Sequence, residues 1–364
     1  MKILLVITKA EIGGAQAFVL NLARGLKKRG NDVVVAAGEG DFLNEELKKD
    51  NINFLRINKL KRNRNPLAII FFIFELKKII DKGKFDVLHL NSTNALPGVF
   101  AARLSRKKPK TFFTVHGLSV LDKNYKAPHI IKLFFKIYFK FFFNFVDKTV
   151  FVSQYNLDEA NLQKISSRKV LIYNGLELSA NYFLSRTEAR EKLGSLIGCD
   201  LSENYIIGSI GRLATQKNYN FLIKIWPEIK AIKPKSKLII IGEGPERAKY
   251  GRLVSENNFE EDIFFPGAIK DASKMLKGVD LFVLPSIYEG LSISLIEAAF
   301  ADIKILASNV GGNREVIGID NCFTLNNKED FISKFKQEQR INVDKMQFSA
   351  DVMVEKYIKL YGGK

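Results

Sequence analysis

The chain has 364 residues, 46% of them hydrophobic and 26% charged. That is room for two domains of roughly 150 to 200 residues, each with its own core, and it excludes a mainly disordered or fibrous chain. Two cysteines, Cys199 and Cys322, exclude a disulfide scaffold and a Cys-rich zinc module, and three histidines, His89, His116 and His129, argue against a His-built metal centre; the net charge of +18 rules out neither nucleic acid nor an anionic surface as a partner.

In chain order, the opening MKILLVITKA carries no readable signal peptide and instead starts a series of short apolar runs. Strands are expected at Lys2 to Thr8, Asp32 to Ala37, Ile52 to Ile57, Phe85 to Leu90, Lys110 to His116, Lys148 to Ser153 and Lys169 to Asn174. Most are continuously apolar, as strands buried on both faces of a parallel sheet should be. Amphipathic helical segments separate them. From Ala15 to Lys28, for example, Phe18, Val19, Leu22, Ala23 and Leu26 share one face and Arg24, Lys27 and Lys28 another. A polar, turn-rich stretch from about Ser179 to Asn204 interrupts the βαβ pattern. It resumes with strands at Tyr205 to Gly211, Lys237 to Gly242, Ile263 to Pro266, Asp280 to Pro285, Ile303 to Ala307 and Cys322 to Leu325, and a helix from Met346 to Leu360 precedes a Gly-Gly-Lys tail. Two Rossmann-like domains in series, without internal repeat, account for this order.

Open α/β sheets bind ligands at the carboxyl ends of their strands, so the loops there hold the candidate chemistry. After the first strand, Gly13 and Gly14 stand where a helix opens, which suits either close approach of a phosphate to free N–H groups or an ordinary tight turn. Gly211-Arg212-Leu213-Ala214-Thr215-Gln216-Lys217-Asn218 places a planar guanidinium and an ammonium on one loop, either a diphosphate clamp or a solvated basic loop. Gly242-Glu243-Gly244-Pro245 fails the nicotinamide fingerprint, because Arg247 stands at the third glycine position, and fits a turn lining a nucleotide base. The most specific string is Pro285-Ser286-Ile287-Tyr288-Glu289-Gly290-Leu291-Ser292-Ile293-Ser294-Leu295-Ile296-Glu297-Ala298. With a helix opening near Gly290, Glu289 would face a ligand and Glu297 would follow about two turns later on a similar side. Such carboxylates accept hydrogen bonds from sugar hydroxyls, or else serve as a helix cap and a solvated acid. Glu297 sits among Leu295, Ile296, Ala298, Ala299 and Phe300, where an idle carboxylate is costly.

Together these strings resemble glycosyltransferase family 4, the retaining nucleotide-sugar enzymes of GT-B architecture, over nearly the whole chain. Weaker marks of the same kind are Gly13-Gly14-Ala15, Val115-His116-Gly117, Val152-Ser153, Asn174-Gly175 and Gly311-Gly312-Asn313-Arg314-Glu315. The resemblance implies an α/β, GT-B fold, two Rossmann-like domains with parallel sheets facing across a cleft. Residues 1–178 would form the acceptor-binding domain, residues 179–345 the nucleotide-sugar-binding domain, with the helix at about 346–364 a candidate to return to the first. It further implies that Arg212 and Lys217 hold the donor diphosphate, Glu297 the ribose and Glu289 the transferred sugar, beside the backbone of Gly290 and Leu291. Gly211, Gly242, Gly244 and Pro245 would shape the donor loops, His116 would sit beside the donor sugar, and Gly13 and Gly14 would approach the phosphate. The nucleotide-diphosphate sugar is a co-substrate, and no other cofactor is implied. His116 is followed by Gly117 where many relatives have Asp, a departure that bears on the acceptor side. No Asp-x-Asp motif is present, so metal-independent transfer is expected, with removal of Lys217 expected to lower turnover at little loss of folding stability.

Charge distribution bears on the acceptor. Residues 1–180 hold 31 Lys and Arg against 15 Asp and Glu, whereas residues 181–364 hold 26 against 24. Lys132, Lys136 and Lys140 recur every fourth residue within the aromatic stretch Ile130 to Val146, and a second apolar run, Leu67 to Phe74, follows the basic run Lys59 to Arg64. Both runs fall short of the ~18 to 20 residues of a spanning helix. They read as interfacial helices against an anionic membrane surface, with an ordinary core helix as the alternative. The expected protein is cytoplasmic and peripheral on the inner face of the cell membrane, acting on a glycan or polyprenyl-linked acceptor in cell-surface polysaccharide or glycolipid synthesis. Nucleic acid is not an expected partner, since the charge is interleaved with apolar helix rather than with a recognition element. The rival is a nucleotide-sugar epimerase or hydrolase of the same architecture.

Overall fold

The computed structural model describes residues 1–61, 65–165, 168–177, 182–337 and 343–362. Arg62 and Arg64 of the basic run, the start of the polar stretch at 179–181 and the last two residues of the tail lie outside them. The chain divides into two units, Met1–Glu177 with Met346–Lys364, and Leu178–Lys345.

The first unit is a seven-stranded parallel sheet of β1 (Lys2–Lys9), β2 (Asp32–Glu39), β3 (Asn53–Arg56), β4 (Val87–Asn91), β5 (Lys110–Val115), β6 (Lys148–Phe151) and β7 (Lys169–Leu171), in the order β3-β2-β1-β4-β5-β6-β7. Its helices are α1 (Gly14–Lys28), α2 (Phe42–Lys49), α3 (Pro66–Gly83), α4 (Gly98–Leu104), α5 (His129–Phe143) and α6 (Gln154–Leu162). Strand alternation explains the two layers: Leu4 and Val6 of β1 point into a core shared with α3, α4 and α5, and Ile3, Leu5 and Ile7 into one shared with α1 and α2.

The second unit is a six-stranded parallel sheet of β8 (Tyr205–Ile210), β9 (Ser236–Ile241), β10 (Ile263–Gly267), β11 (Leu281–Leu284), β12 (Lys304–Ser308) and β13 (Cys322–Phe323), in the order β10-β9-β8-β11-β12-β13. Around it lie α7 (Arg186–Ile197), α8 (Tyr219–Lys224), α9 (Trp226–Ile232), α10 (Arg247–Glu256), α11 (Ile293–Phe300), α12 (Asn313–Ile317) and α13 (Lys328–Gln337). All thirteen expected strands form. The fold is α/β, two parallel-sheet Rossmann-like domains.

The last helix, α14 (Ala350–Gly362), belongs to the first unit, where Met353, Val354, Tyr357 and Tyr361 are buried against the α1 side of the sheet. A buried polar network fastens it. The two ring nitrogens of His89 meet the Tyr361 hydroxyl at 2.6 Å and Thr114 Oγ1 at 2.7 Å, and Thr114 Oγ1 meets the Tyr357 hydroxyl at 2.9 Å. Burial lowers the pKa of His89 to about 3, so a neutral ring holds these contacts.

Three expectations change. The polar stretch read as turns contains α7, whose start is a capping box: the Ser185 side chain accepts from the Glu188 N–H, and the Glu188 carboxylate accepts from the Ser185 N–H. Helix α11 opens at Ile293 after Ser292, not near Gly290, which leaves Glu289, Gly290 and Leu291 on a loop. The lysines of α5 are not a uniform stripe: Lys132 and Lys136 are half-buried, with Lys132 Nζ donating to the Asp122 carbonyl at 3.0 Å, whereas Lys140 is exposed.

Candidate active site

Strand order marks where a ligand crevice forms, because adjacent strands whose connections leave in opposite directions splay their carboxyl-end loops apart. In the second unit that point is β8, which lies between β9 and β11. Backbone bonds lace the loops there. The Leu213 N–H donates to the Glu243 carbonyl at 3.0 Å and the Glu246 N–H to the Leu213 carbonyl at 2.9 Å, joining the loops after β8 and β9. The Ile287 N–H donates to the Gln216 carbonyl at 2.8 Å and the Gln216 side-chain amide to the Tyr288 carbonyl at 3.0 Å, joining the loops after β8 and β11. The Gly312 N–H donates to the Gly290 carbonyl at 2.9 Å, adding the loop after β12.

Two glycines permit this closeness. A Cβ at Gly242, where φ is +157°, would lie 2.0 Å from the Gly211 carbonyl oxygen, and one at Gly311, where φ is +53°, would lie 2.3 Å from that of Glu289. Both contacts are backbone, so a side chain at either position would push two loops apart.

At the centre of the laced loops, Lys217 Nζ lies 2.6 Å from Glu289 Oε1, and Ser286 Oγ donates to the same oxygen at 2.7 Å. The side chains of Lys217 and Glu289 are 14% and 8% exposed, a nearly buried ion pair. This corrects the expectation that Lys217 can be removed at little structural loss, because its absence strands a buried carboxylate. Arg212 is exposed on the same loop, Gly211, Gly242 and Gly244 are half-buried beneath it, Pro245 is exposed, and Leu291 is buried.

Glu297 has different surroundings. It lies half-buried in α11, and burial, reinforced by Asp271, raises its pKa from the ordinary 4.5 to about 7, against a hydrogen bond with Ser273 that pulls it down. Ser273 also meets the Tyr182 hydroxyl at 2.7 Å. Glu289 therefore belongs with Lys217 and Ser286, and Glu297 with Ser273 and Asp271.

In the first unit the order turns between β1 and β4. The end of β1 meets the loop after β4 where the Thr8 N–H donates to Ser92 Oγ at 3.1 Å. Gly13, half-buried, and Gly14, exposed, open α1 there. His116 follows β5 in the same unit, with Nε2 3.3 Å from Asn91 Oδ1 and its ring edge-on to Phe18 at 4.8 Å between centroids. Burial lowers its pKa to about 4, so the imidazole is neutral near pH 7. Sequence reasoning assigned no role to Ser286, Gln216 or Asn218, though Asn218 adopts a left-handed conformation and its amide donates to the Pro285 carbonyl at 3.1 Å. The polar character of the loop was a signal for Gln216 and Asn218; nothing local marked Ser286.

Among the described residues, no group of three or more His, Cys, Asp or Glu side chains is placed to hold a metal ion. Laced loops at the turning point of a parallel sheet, carrying a nearly buried ion pair and a carboxylate whose pKa is raised to about 7, form a ligand crevice of the kind that two-domain α/β proteins place at their strand ends.

Two family models divide the chain. One described as Glycosyltransferase Family 4 matches residues 12–180, and one described as Glycosyl transferases group 1 matches residues 200–338. The chain belongs to the glycosyltransferases of the family 4 type and is a glycosyltransferase. It is 22% identical to the N,N'-diacetylbacillosaminyl-diphospho-undecaprenol alpha-1,3-N-acetylgalactosaminyltransferase of Campylobacter jejuni, over 94% of each chain. It is 25% identical to the UDP-Gal:alpha-D-GlcNAc-diphosphoundecaprenol alpha-1,3-galactosyltransferase of Escherichia coli, over 78% of this chain and 71% of that one. Anabaena HepE, solved in complex with UDP and glucose, shares the GT-B fold at a TM-score of 0.82 and 16% identity, with 100% of both chains covered.

Proposed function

We propose that the protein is a retaining transferase that moves a sugar from a nucleoside diphosphate sugar to a glycan acceptor carried on a polyprenyl diphosphate, in cell-surface polysaccharide or glycolipid synthesis at the inner face of the cell membrane. The observation that carries this reading is the Lys217–Glu289 pair at the centre of four laced strand-end loops. Two similar proteins named for diphospho-undecaprenol substrates support the acceptor class, and the UDP held by a protein of the same fold supports the donor class.

In this reading Arg212 and Lys217 take the donor diphosphate, and Lys217 exchanges part of its contact with Glu289 for phosphate oxygens. Glu289 then accepts a hydrogen bond from a hydroxyl of the transferred sugar, next to the backbone of Gly290 and Leu291, and Glu297 accepts from the ribose. Gly211, Gly242, Gly244 and Pro245 shape the loop around the nucleotide. In the first unit, His116, a neutral ring, and the helix-terminal N–H groups at Gly13 and Gly14 are the groups suited to a sugar and to a phosphate. The bond between the anomeric carbon and the diphosphate oxygen breaks with its electron pair leaving on the diphosphate, while the acceptor hydroxyl oxygen bonds to that carbon and its proton passes to the departing phosphate oxygen. Cationic side chains and oriented N–H groups stabilise that charge, so no metal is required.

Thermal-shift titration with UDP-, GDP- and ADP-sugars tests the donor: one nucleotide series should raise Tm in proportion to its affinity. NMR of the product on a polyprenyl-linked acceptor tests the anomeric outcome. Inversion at the anomeric carbon would overturn retention, and turnover without any acceptor would favour the epimerase or hydrolase alternative.

A further inference from the structure

Helices α3 and α5 are apolar on two sides. Their inner sides supply Phe72, Leu76 and Ile80, and Phe139 and Phe143, to one core. Their outer sides carry second stripes at helical spacing: Leu67, Ile70, Phe71 and Phe74 on α3, which are 47–62% exposed, and Ile130, Phe134, Ile137 and Phe141 on α5, which are 50–69% exposed. Both helices lie on the same face of the sheet, with α4 packed against α3 and its Phe100 ring against Phe141 and Phe142 of α5. Because each follows a parallel strand, both begin at the carboxyl edge of the sheet, and both outer stripes start in the first turn.

Exposed cations stand at both ends of this face: Lys82 and Lys84 at the end of α3 and Arg106, Lys107 and Lys108 after α4 at the amino edge, and four lysines at the carboxyl edge. Lys59 and Lys61 precede α3, Lys123 and Lys126 precede α5, and all four are exposed. Glu39, 3.9 Å from Lys61, offsets one of them; Asp122 is buried, and Glu75 is occupied by the N–H groups of Asn58 and Lys59. Two parallel apolar stripes flanked by cations match the boundary of an anionic bilayer, with rings and aliphatic chains at the acyl level and ammonium groups among the headgroups. No described helix is long and apolar enough to cross a membrane, so this contact lies in the interface plane.

We infer that the outer faces of α3 and α5 together dock the protein on an anionic lipid surface, with apolar insertion rather than the Lys132–Lys136–Lys140 stripe as the main contact. The inference rests on the proposed lipid-linked acceptor, since it brings the first unit to the surface that carries a polyprenyl diphosphate.

The test is flotation of the full chain with phosphatidylcholine vesicles, with and without phosphatidylglycerol, at low and high salt. Three proteins are compared: the unaltered chain, the triple variant Leu67→Ser/Phe71→Ser/Phe74→Ser, and the triple variant Ile130→Ser/Phe134→Ser/Ile137→Ser. The unaltered chain should float with anionic vesicles, and each variant should lose roughly tenfold or more in vesicle affinity. The substituted side chains are exposed, so Tm should hold in both variants. Failure of the unaltered chain to float at low salt, or equal flotation of all three, overturns the docking. So does a vesicle-free dimer, seen by analytical ultracentrifugation, that both variants dissociate, because a second copy of the chain would then cover the stripes. Transfer to a short soluble acceptor is scored on the same preparations. Its persistence in both variants supports a docking role separate from chemistry, and its absence in the unaltered chain counts against the transferase reading while flotation still decides the docking.

Discussion

The loop at 285–292 and helix α11 are neighbours in sequence, and each carries one glutamate, yet the two carboxylates have opposite electrostatic settings. Glu289 lies against an ammonium and a hydroxyl, whereas Glu297 feels burial in the apolar flank of its helix, the Ser273 hydrogen bond and Asp271. A motif that reads as a pair of sugar-binding acids therefore divides into one carboxylate paired with an ammonium and one whose pKa burial raises to about 7. Two acids on one segment differ in charge because tertiary neighbours, not their spacing, set their electrostatics.

The sharpest way to break this contrast is to remove the ammonium. Lys217→Ala should lower kcat by about 10² to 10³, as loss of a preorganised charge opposite a leaving anion does. It should also destabilise the protein by several kcal/mol, on the order of 3, because Glu289 is left buried without its cation. Adding Glu289→Gln should restore most of the stability and none of the activity. Kinetics and chemical denaturation on the two single variants and the double variant measure this. If the double variant is no more stable than Lys217→Ala, the pair is not what holds the loop.

Glu297 should behave in the reverse sense. The folded protein keeps its proton up to about pH 7 and the unfolded chain releases it near 4.5, so this group favours folding most at low pH. Its contribution is lost progressively as pH rises between those values and is level above them. Glu297→Gln should remove that slope and stabilise the ligand-free protein at pH 8 by up to about 3 kcal/mol, with no gain at pH 4. Urea denaturation across this range checks it, and an unchanged slope would show that the carboxylate titrates normally.

A smaller effect sharpens the same point from the ligand side. A ribose hydroxyl donates best to a carboxylate, so nucleotide binding should expel the Glu297 proton, and affinity should tighten by roughly tenfold from pH 6 to pH 8. Calorimetry in buffers of different ionisation enthalpy reads both the affinity and the released proton. The Glu297→Gln protein should show neither, and a pH-independent Kd in the unaltered protein would remove Glu297 from the ribose. The smallest expected effect is none: EDTA should leave kcat unchanged, whereas loss of activity restored by Mg²⁺ or Mn²⁺ would mean that Lys217 and Arg212 do not suffice for the diphosphate.

Much of the fold was legible because the signals were local. Continuous apolar runs marked most strands, since a parallel strand buried on two faces needs no polar alternation, although the edge strand β3 is short and largely exposed. Helix α7 escaped notice although Ser185 and Glu188 spell its capping box, because a polar helix on a surface lacks the apolar period that a pattern search follows. At the site, the strings around 211–218, 242–245 and 285–298 were visible as strand-end loops, and Glu297 stood out as an acid among aliphatic residues. The role of Gln216 was not visible, since its partner Tyr288 is brought to it by the crossing of loops, and that of Ser286 was not, since the turn that folds it onto Glu289 three residues on has no sequence signature.

By itself the sequence determined the alternation of strand and helix, the two-domain α/β class and the family, because periodicity and motif strings are properties of neighbouring residues. Only the tertiary structure decided that Lys217 meets Glu289 across 72 positions, that the last helix is tied to His89 across 272, and that α3 and α5 keep a second apolar stripe uncovered. The reason is common to all three. Side-chain spacing tells which residues share a face of one element, but strand order and crossover decide what that face meets, and a helix apolar on two sides carries no local sign of which side the core will take.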